Sequence, residues 1–164
     1  MAEALQELLR GKGAHVDPVA CIEDVPHDLA IRKPAGFAHS IADLLFHMNY
    51  WMAYELRRIR AKKPRYPEHN AESFPQSTLR ASEWESQKQE FASNLHEFAK
   101  LAKSSRHELD RQIESVDDGD KKVAATLDSV LWQIVVHNSY HTGQIAQIRR
   151  ALNAWPPPSG SDTW

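Results

Sequence analysis

Cysteine is nearly missing from this 164-residue chain. Cys21 stands alone, so no internal disulfide can form and nothing asks for an oxidising compartment. Long apolar runs are missing too: no stretch approaches the ~18 residues needed to span a bilayer. The start, Met1-Ala2-Glu3-Ala4-Leu5, is acidic and helix-like where a signal peptide would be basic. These absences lead to the expectation of a cytoplasmic protein with no membrane partner. Positive charge is not in excess, because 20 Lys and Arg face 22 Asp and Glu for a net charge of −2. A nucleic-acid footprint therefore has no support. Arg57, Arg58, Arg60, Lys62 and Lys63 do cluster, at a place that fits a solvated helix end where cations suit the macrodipole. No strand alternation, repeat or low-complexity block is evident, so residues 1–164 are read as a single domain.

What is present is helical periodicity in four stretches. A short first helix, about Ala2 to Arg10, buries Leu5, Leu8 and Leu9 and is ended by Gly11 and Gly13. A connector with Pro18, Pro26 and Pro34 follows, with room for short turns around 18–24 and 26–31. The second helix starts near Ser40, a plausible cap with Asp43 three residues on, and runs to about Lys62. Its stripe is Ile41, Leu45, Met48, Met52, Leu56 and Ile59, and Pro64, Pro67 and Pro75 prevent continuation. The third runs from about Thr78 to Arg111, with Ser104-Ser105 as a weak stretch near its end. Residues 117–120 read as a turn or loop. The fourth helix starts around Thr126 and reaches about Asn153, ahead of Pro156-Pro157-Pro158. An all-α, antiparallel four-helix bundle with long connecting loops buries these stripes naturally.

The fourth helix carries the chemistry. Val130, Ile134, His137, His141, Ile145 and Ile148 step along one seam, so two imidazoles sit where leucines normally would. Nine histidines in this length give about half a pair at that spacing by chance, so placement, not spacing, is the signal. Buried imidazoles need partners, and two on one face are half of a transition-metal site. His47 borders the stripe of the second helix and is the best third ligand. His39 suits a capping or solvent role near that helix start, and the remaining histidines lie in connectors or beside charges. The competing reading is that His137 and His141 are hydrogen-bonded core residues.

Three histidines leave an open coordination position for water or substrate. Imidazole ligation suits Zn or Ni first, with Fe, Co, Mn or Cu also compatible. A His-Glu-x-x-His protease is disfavoured, since Asn138 follows His137, and no Glu-x-x-His element of a di-iron bundle occurs. Asp43, Tyr54, Gln133 and Gln144 lie a turn or two from the histidines and can orient an imidazole or touch substrate, the competing reading for each being an ordinary capping or surface residue. No catalytic residue is assigned. Gly143, mid-helix, costs about 1 kcal/mol in propensity; close approach of another helix, or of a substrate, would explain it. Tyr50, Trp51, Trp132 and Tyr140 are candidates to wall an apolar pocket, with Trp132 expected in the core, and Trp155 and Trp164 to cover a bundle mouth.

The segments Leu44-Leu45-Phe46-His47-Met48-Asn49-Tyr50-Trp51 and His137-Asn138-Ser139-Tyr140-His141-Thr142-Gly143-Gln144-Ile145, with the ending Arg149-Arg150-Ala151-Leu152-Asn153-Ala154-Trp155-Pro156-Pro157, resemble the DinB-like (DinB/YfiT-like) metal-binding four-helix bundles. The His-x3-His-x-Gly-Gln element is the most specific part. The resemblance implies one divalent metal held by His47, His137 and His141, and a homodimer. It implies metal-dependent transferase or isomerase chemistry using a low-molecular-weight thiol and a small-molecule substrate. The alternatives are a metal-dependent hydrolase and a non-catalytic metal-binding or stress-response dimerisation module.

Overall fold

Ser40 starts the helix that organises the molecule. In the computed structural model, which describes residues 2–113, 117–118, 121–122 and 125–159, Ser40 Oγ accepts from the Asp43 backbone N–H at 3.1 Å while Asp43 Oδ2 accepts from the Ser40 N–H at 2.9 Å. This reciprocal box satisfies two of the amide donors that a helix start leaves free. The helix runs Ile41–Ile59 and is α4 in chain order, after α1 (Ala2–Leu9) and the short turns α2 (Ala20–Glu23) and α3 (His27–Ala30). Its predicted stripe, Ile41 through Ile59, is buried at every position.

Thr126 opens the last helix, α7 (Leu127–Ala151), by the same device with Ser129. The third predicted helix is split. α5 spans Ala81–Leu101, and a separate turn, α6 (Arg106–Leu109), follows with Ser105 as its cap. The weak Ser104-Ser105 stretch is where the break falls, because a serine side chain caps a new helix better than it continues an old one. Residues 117–120 also differ in part from a plain loop. Asp117–Asp118 (β2) pairs antiparallel with Lys121–Lys122 (β3), while Gln112–Ile113 (β1) pairs with Ala125–Thr126 (β4) just ahead of α7. Gly119 and Asp120 lie outside the described residues.

Among the described residues the fold is therefore helical with two minimal strand pairs. α4 packs against both α5 and α7, and α1 packs against the same two, so four helices surround one core. Leu45, Met52, Trp84, Phe91, Phe98 and Leu131 are among the side chains closed off from solvent in it. The proline-rich connector is tied down from two sides. Trp84 Nε1 donates to the Val25 carbonyl at 2.9 Å. Arg149, buried in α7, grips Asp24 through two bonds of 2.8 and 2.9 Å and donates to the Cys21 and Ala154 carbonyls. Trp155 packs on the core beside the Arg149 and Arg150 guanidinium groups, and Trp164 lies outside the described residues. Among the described residues no helix is long and apolar enough to cross a membrane.

Candidate metal centre

α4 presents His47, and α7 presents His137 and His141 one turn apart. The three rings meet: centroids are 5.1 Å between His47 and His137, 4.8 Å between His47 and His141, and 4.5 Å between His137 and His141. Their ligand atoms all lie within 4.8 Å of one another, and the His47 and His137 Nε2 atoms are 3.2 Å apart. At metal–nitrogen bonds of ~2.05 Å, that separation subtends an angle of about 100°, close to tetrahedral. Among the described residues no fourth His, Cys or carboxylate joins the group.

Hydrogen bonds settle which nitrogen faces inward. Ser73, on a 3-10 turn (Asn70–Ser73), donates its hydroxyl to the Asn70 carbonyl at 2.6 Å, so its oxygen is left to accept from His47 Nδ1–H at 2.8 Å. His141 Nδ1–H donates to Gln144 Oε1 at 2.7 Å. Both rings thereby keep an unprotonated Nε2 directed at the cluster, as metal-ligating histidines do when their other nitrogen is engaged. Burial pushes the His47 imidazole down to about 3, with further depression from the neighbouring imidazoles, and burial then His141 push His137 down to about 4. His141 is lowered as well, again by burial first. All three are neutral at pH 7, the state in which imidazole binds a cation. The donor set and its geometry fit a divalent transition metal.

The centre opens into a cavity of about 680 Å³. Trp51, Tyr54 and Tyr66 wall one part of it, Tyr140 and Gln144 another. Phe74 stacks on His47 at 4.5 Å and on His39 at 4.2 Å. Gln133 and Tyr54 line the cavity. Tyr54 is buried, its hydroxyl has no hydrogen-bond partner among the described residues, and burial pushes it up to about 12. Gln144 meets the expectation of orienting an imidazole. Asp43 does not: its carboxylate is engaged by the helix cap and lies 3.8 Å from Lys33, away from the cavity.

Three further expectations change. Arg58 is not a solvated helix-end charge; it is largely buried and donates to both oxygens of buried Glu55 at 2.9 and 2.8 Å, beside the cavity. Gly143 has no helix against it, since a methyl group built there would meet nothing within 4 Å. Of the four aromatics, Trp51 and Tyr140 face the cavity, Trp132 packs partly buried on the core, and Tyr50 lies elsewhere. Sequence reasoning missed Ser73 and Phe74. Both sit in the proline-flanked segment between α4 and α5, where no periodicity marks which side chains turn inward.

Residues 20–159 match the DinB family. The chain belongs to the DinB family. The matched span includes all three clustered histidines and the connector gripped by Arg149. No curated protein matches the chain.

Proposed function

We propose that this DinB-family chain is a divalent-metal-dependent enzyme whose His47, His137 and His141 hold one transition metal, Zn or Ni by preference. The observation that carries the reading is the convergence of three neutral imidazoles, two with Nε2 lone pairs directed inward, at the floor of a cavity large enough for a small molecule. We read the ring of contacts among α1, α4, α5 and α7 as the antiparallel four-helix bundle that such sites occupy.

When bound, the ion supplies a Lewis acid that lowers the pKa of a coordinated thiol or water. The chain's own residues do the rest. Ser73 and Gln144 hold the imidazoles in the ligating tautomer, Phe74 and Trp51 exclude water from one side of His47, and the aromatic wall receives apolar substrate surface. We favour thiol-dependent transferase or isomerase chemistry in the cytoplasm, because among the described residues the cavity presents no free carboxylate to deprotonate water. Glu55, raised by burial, has both oxygens engaged by Arg58. That carboxylate is also the one feature favouring the hydrolase alternative. The family resemblance further supports a homodimer, which light scattering tests.

Tag-free protein should carry about one equivalent of metal by elemental analysis. The loaded protein should turn over electrophiles with one of the common bacterial thiols. Less than about a tenth of an equivalent after metal supplementation would defeat the metal reading. A loaded protein inert across a broad thiol panel, yet active on esters or amides, would move the assignment to hydrolase.

A further inference from the structure

Gly143 is a helix-interior glycine that neither backbone nor packing explains. It lies within α7, its φ is not in the left-handed region, and a Cβ there would enter open space. A helix bears a propensity penalty at such a position. What Gly143 does line is a second hollow of about 470 Å³, together with Phe37 and Ile148. His39, Leu44, Tyr140 and Gln144 line both this groove and the cavity at the histidines, so the two adjoin along a shared wall. The histidine cluster thus sits at an elbow. One arm runs along α4 towards Glu55 and Arg58. The other runs along α7 from His141 to Ile148, seven residues or about 10 Å.

We propose that the groove over Gly143 is a substrate subsite that takes the apolar arm of the molecule whose reactive group sits at the metal. The missing side chain keeps it open. The wall shared with the metal cavity argues for a small-molecule occupant that reaches across it, and the lining argues for an alkyl or aryl one: Phe37, Leu44 and Ile148 are apolar, and Tyr140, 64% exposed, offers a ring face. The larger arm, with Gln133, Asn70 and the Glu55–Arg58 pair, remains for a polar co-substrate. Two arms meeting at one ion suit a reaction that joins or exchanges two molecules. This inference rests on the metal reading above.

The test uses cobalt-loaded full-length protein and alkyl hydroxamates of increasing length, from acetohydroxamate to octanohydroxamate, followed by the visible cobalt spectrum. In the natural chain, affinity should rise about 2- to 4-fold per methylene over the buried part. Gly143→Gln, a helix-compatible variant, should bind acetohydroxamate within 2-fold of the natural chain while losing the dependence on length. Independently of metal, Gly143→Ala should raise the melting temperature of the apoprotein by about 2–4 °C. An equal slope in Gly143→Gln would place the alkyl arm elsewhere and overturn the proposal. So would a lowered melting temperature in Gly143→Ala, or a change of oligomeric state in either variant, which would make the groove an interface between copies. A cobalt spectrum that no hydroxamate alters would mean that the bound ion has no open coordination position, which would defeat the enzyme reading and the subsite with it.

Discussion

Ser73 offers the sharpest perturbation of the centre without touching a ligand. Its side chain is fully buried and its hydroxyl bridges the Asn70 carbonyl and His47 Nδ1–H, at 2.6 and 2.8 Å. Ser73→Ala leaves a buried N–H and a carbonyl unsatisfied, at about 1–3 kcal/mol. It also removes what keeps the proton on Nδ1. His47 can then shift its proton to Nε2, where it meets His137 Nε2 at 3.2 Å and blocks ligation. Losing an imidazole-orienting partner of this kind weakens metal binding by about 10- to 100-fold. Competition against a chelator of known affinity, at a temperature where both proteins are folded, reads that loss directly, and thermal unfolding reads the stability cost separately. Zinc affinity unchanged within 2-fold, with the melting temperature lowered, would mean that Ser73 serves only packing. The tautomer argument would then be wrong.

His141→Ala should abolish stoichiometric metal uptake, and retention of one equivalent would remove it from the ligand set. Saturating metal at 100 times Kd should stabilise the natural chain by about 2.7 kcal/mol, read as a rise in melting temperature that a chelator reverses. Acid should weaken the apoprotein. His47 and His137 stay neutral in the fold down to about 3 and about 4, while unfolded histidine takes its proton near 6.5. Between about pH 6.5 and 4 the unfolded state binds more protons, so stability rises with pH, by up to about 1.4 kcal/mol per unit per histidine. A flat stability profile over that window would show that the rings are solvated. Arg149→Met strands Asp24 and two carbonyls and should cost about 3–5 kcal/mol in chemical denaturation, whereas a loss below 1 kcal/mol would show the connector held by other contacts.

The three ligand candidates were legible because helices hold them. His137 and His141 occupy a core seam whose other members, Val130, Ile134, Ile145 and Ile148, are buried, so a period of 3.6 was enough to put both rings inside. The helix starts at Ser40 and Thr126 were legible for a similar reason, since a cap is a local bargain between a side chain and amides two or three residues on. Asp43 shows the limit of that logic. Its helical phase places it near His47, but the capping box that the sequence also marks at Ser40 claims its carboxylate, and the local cap wins over the longer reach. Ser73 and Phe74 were illegible because they depend on how the segment between α4 and α5 folds back over α4. Backbone in such a segment follows no period, and its inward residues are selected by tertiary contact alone. The division has a physical consequence for how this site varies. The candidate ligands ride on rigid elements whose spacing is fixed by the core, while Ser73 and Phe74, which hold His47 and wall part of the cavity, ride on a loop. Substitutions in residues 62–80 should therefore retune metal affinity and substrate choice while leaving the histidine triangle and the fold intact, whereas changes along the α7 seam should alter both together.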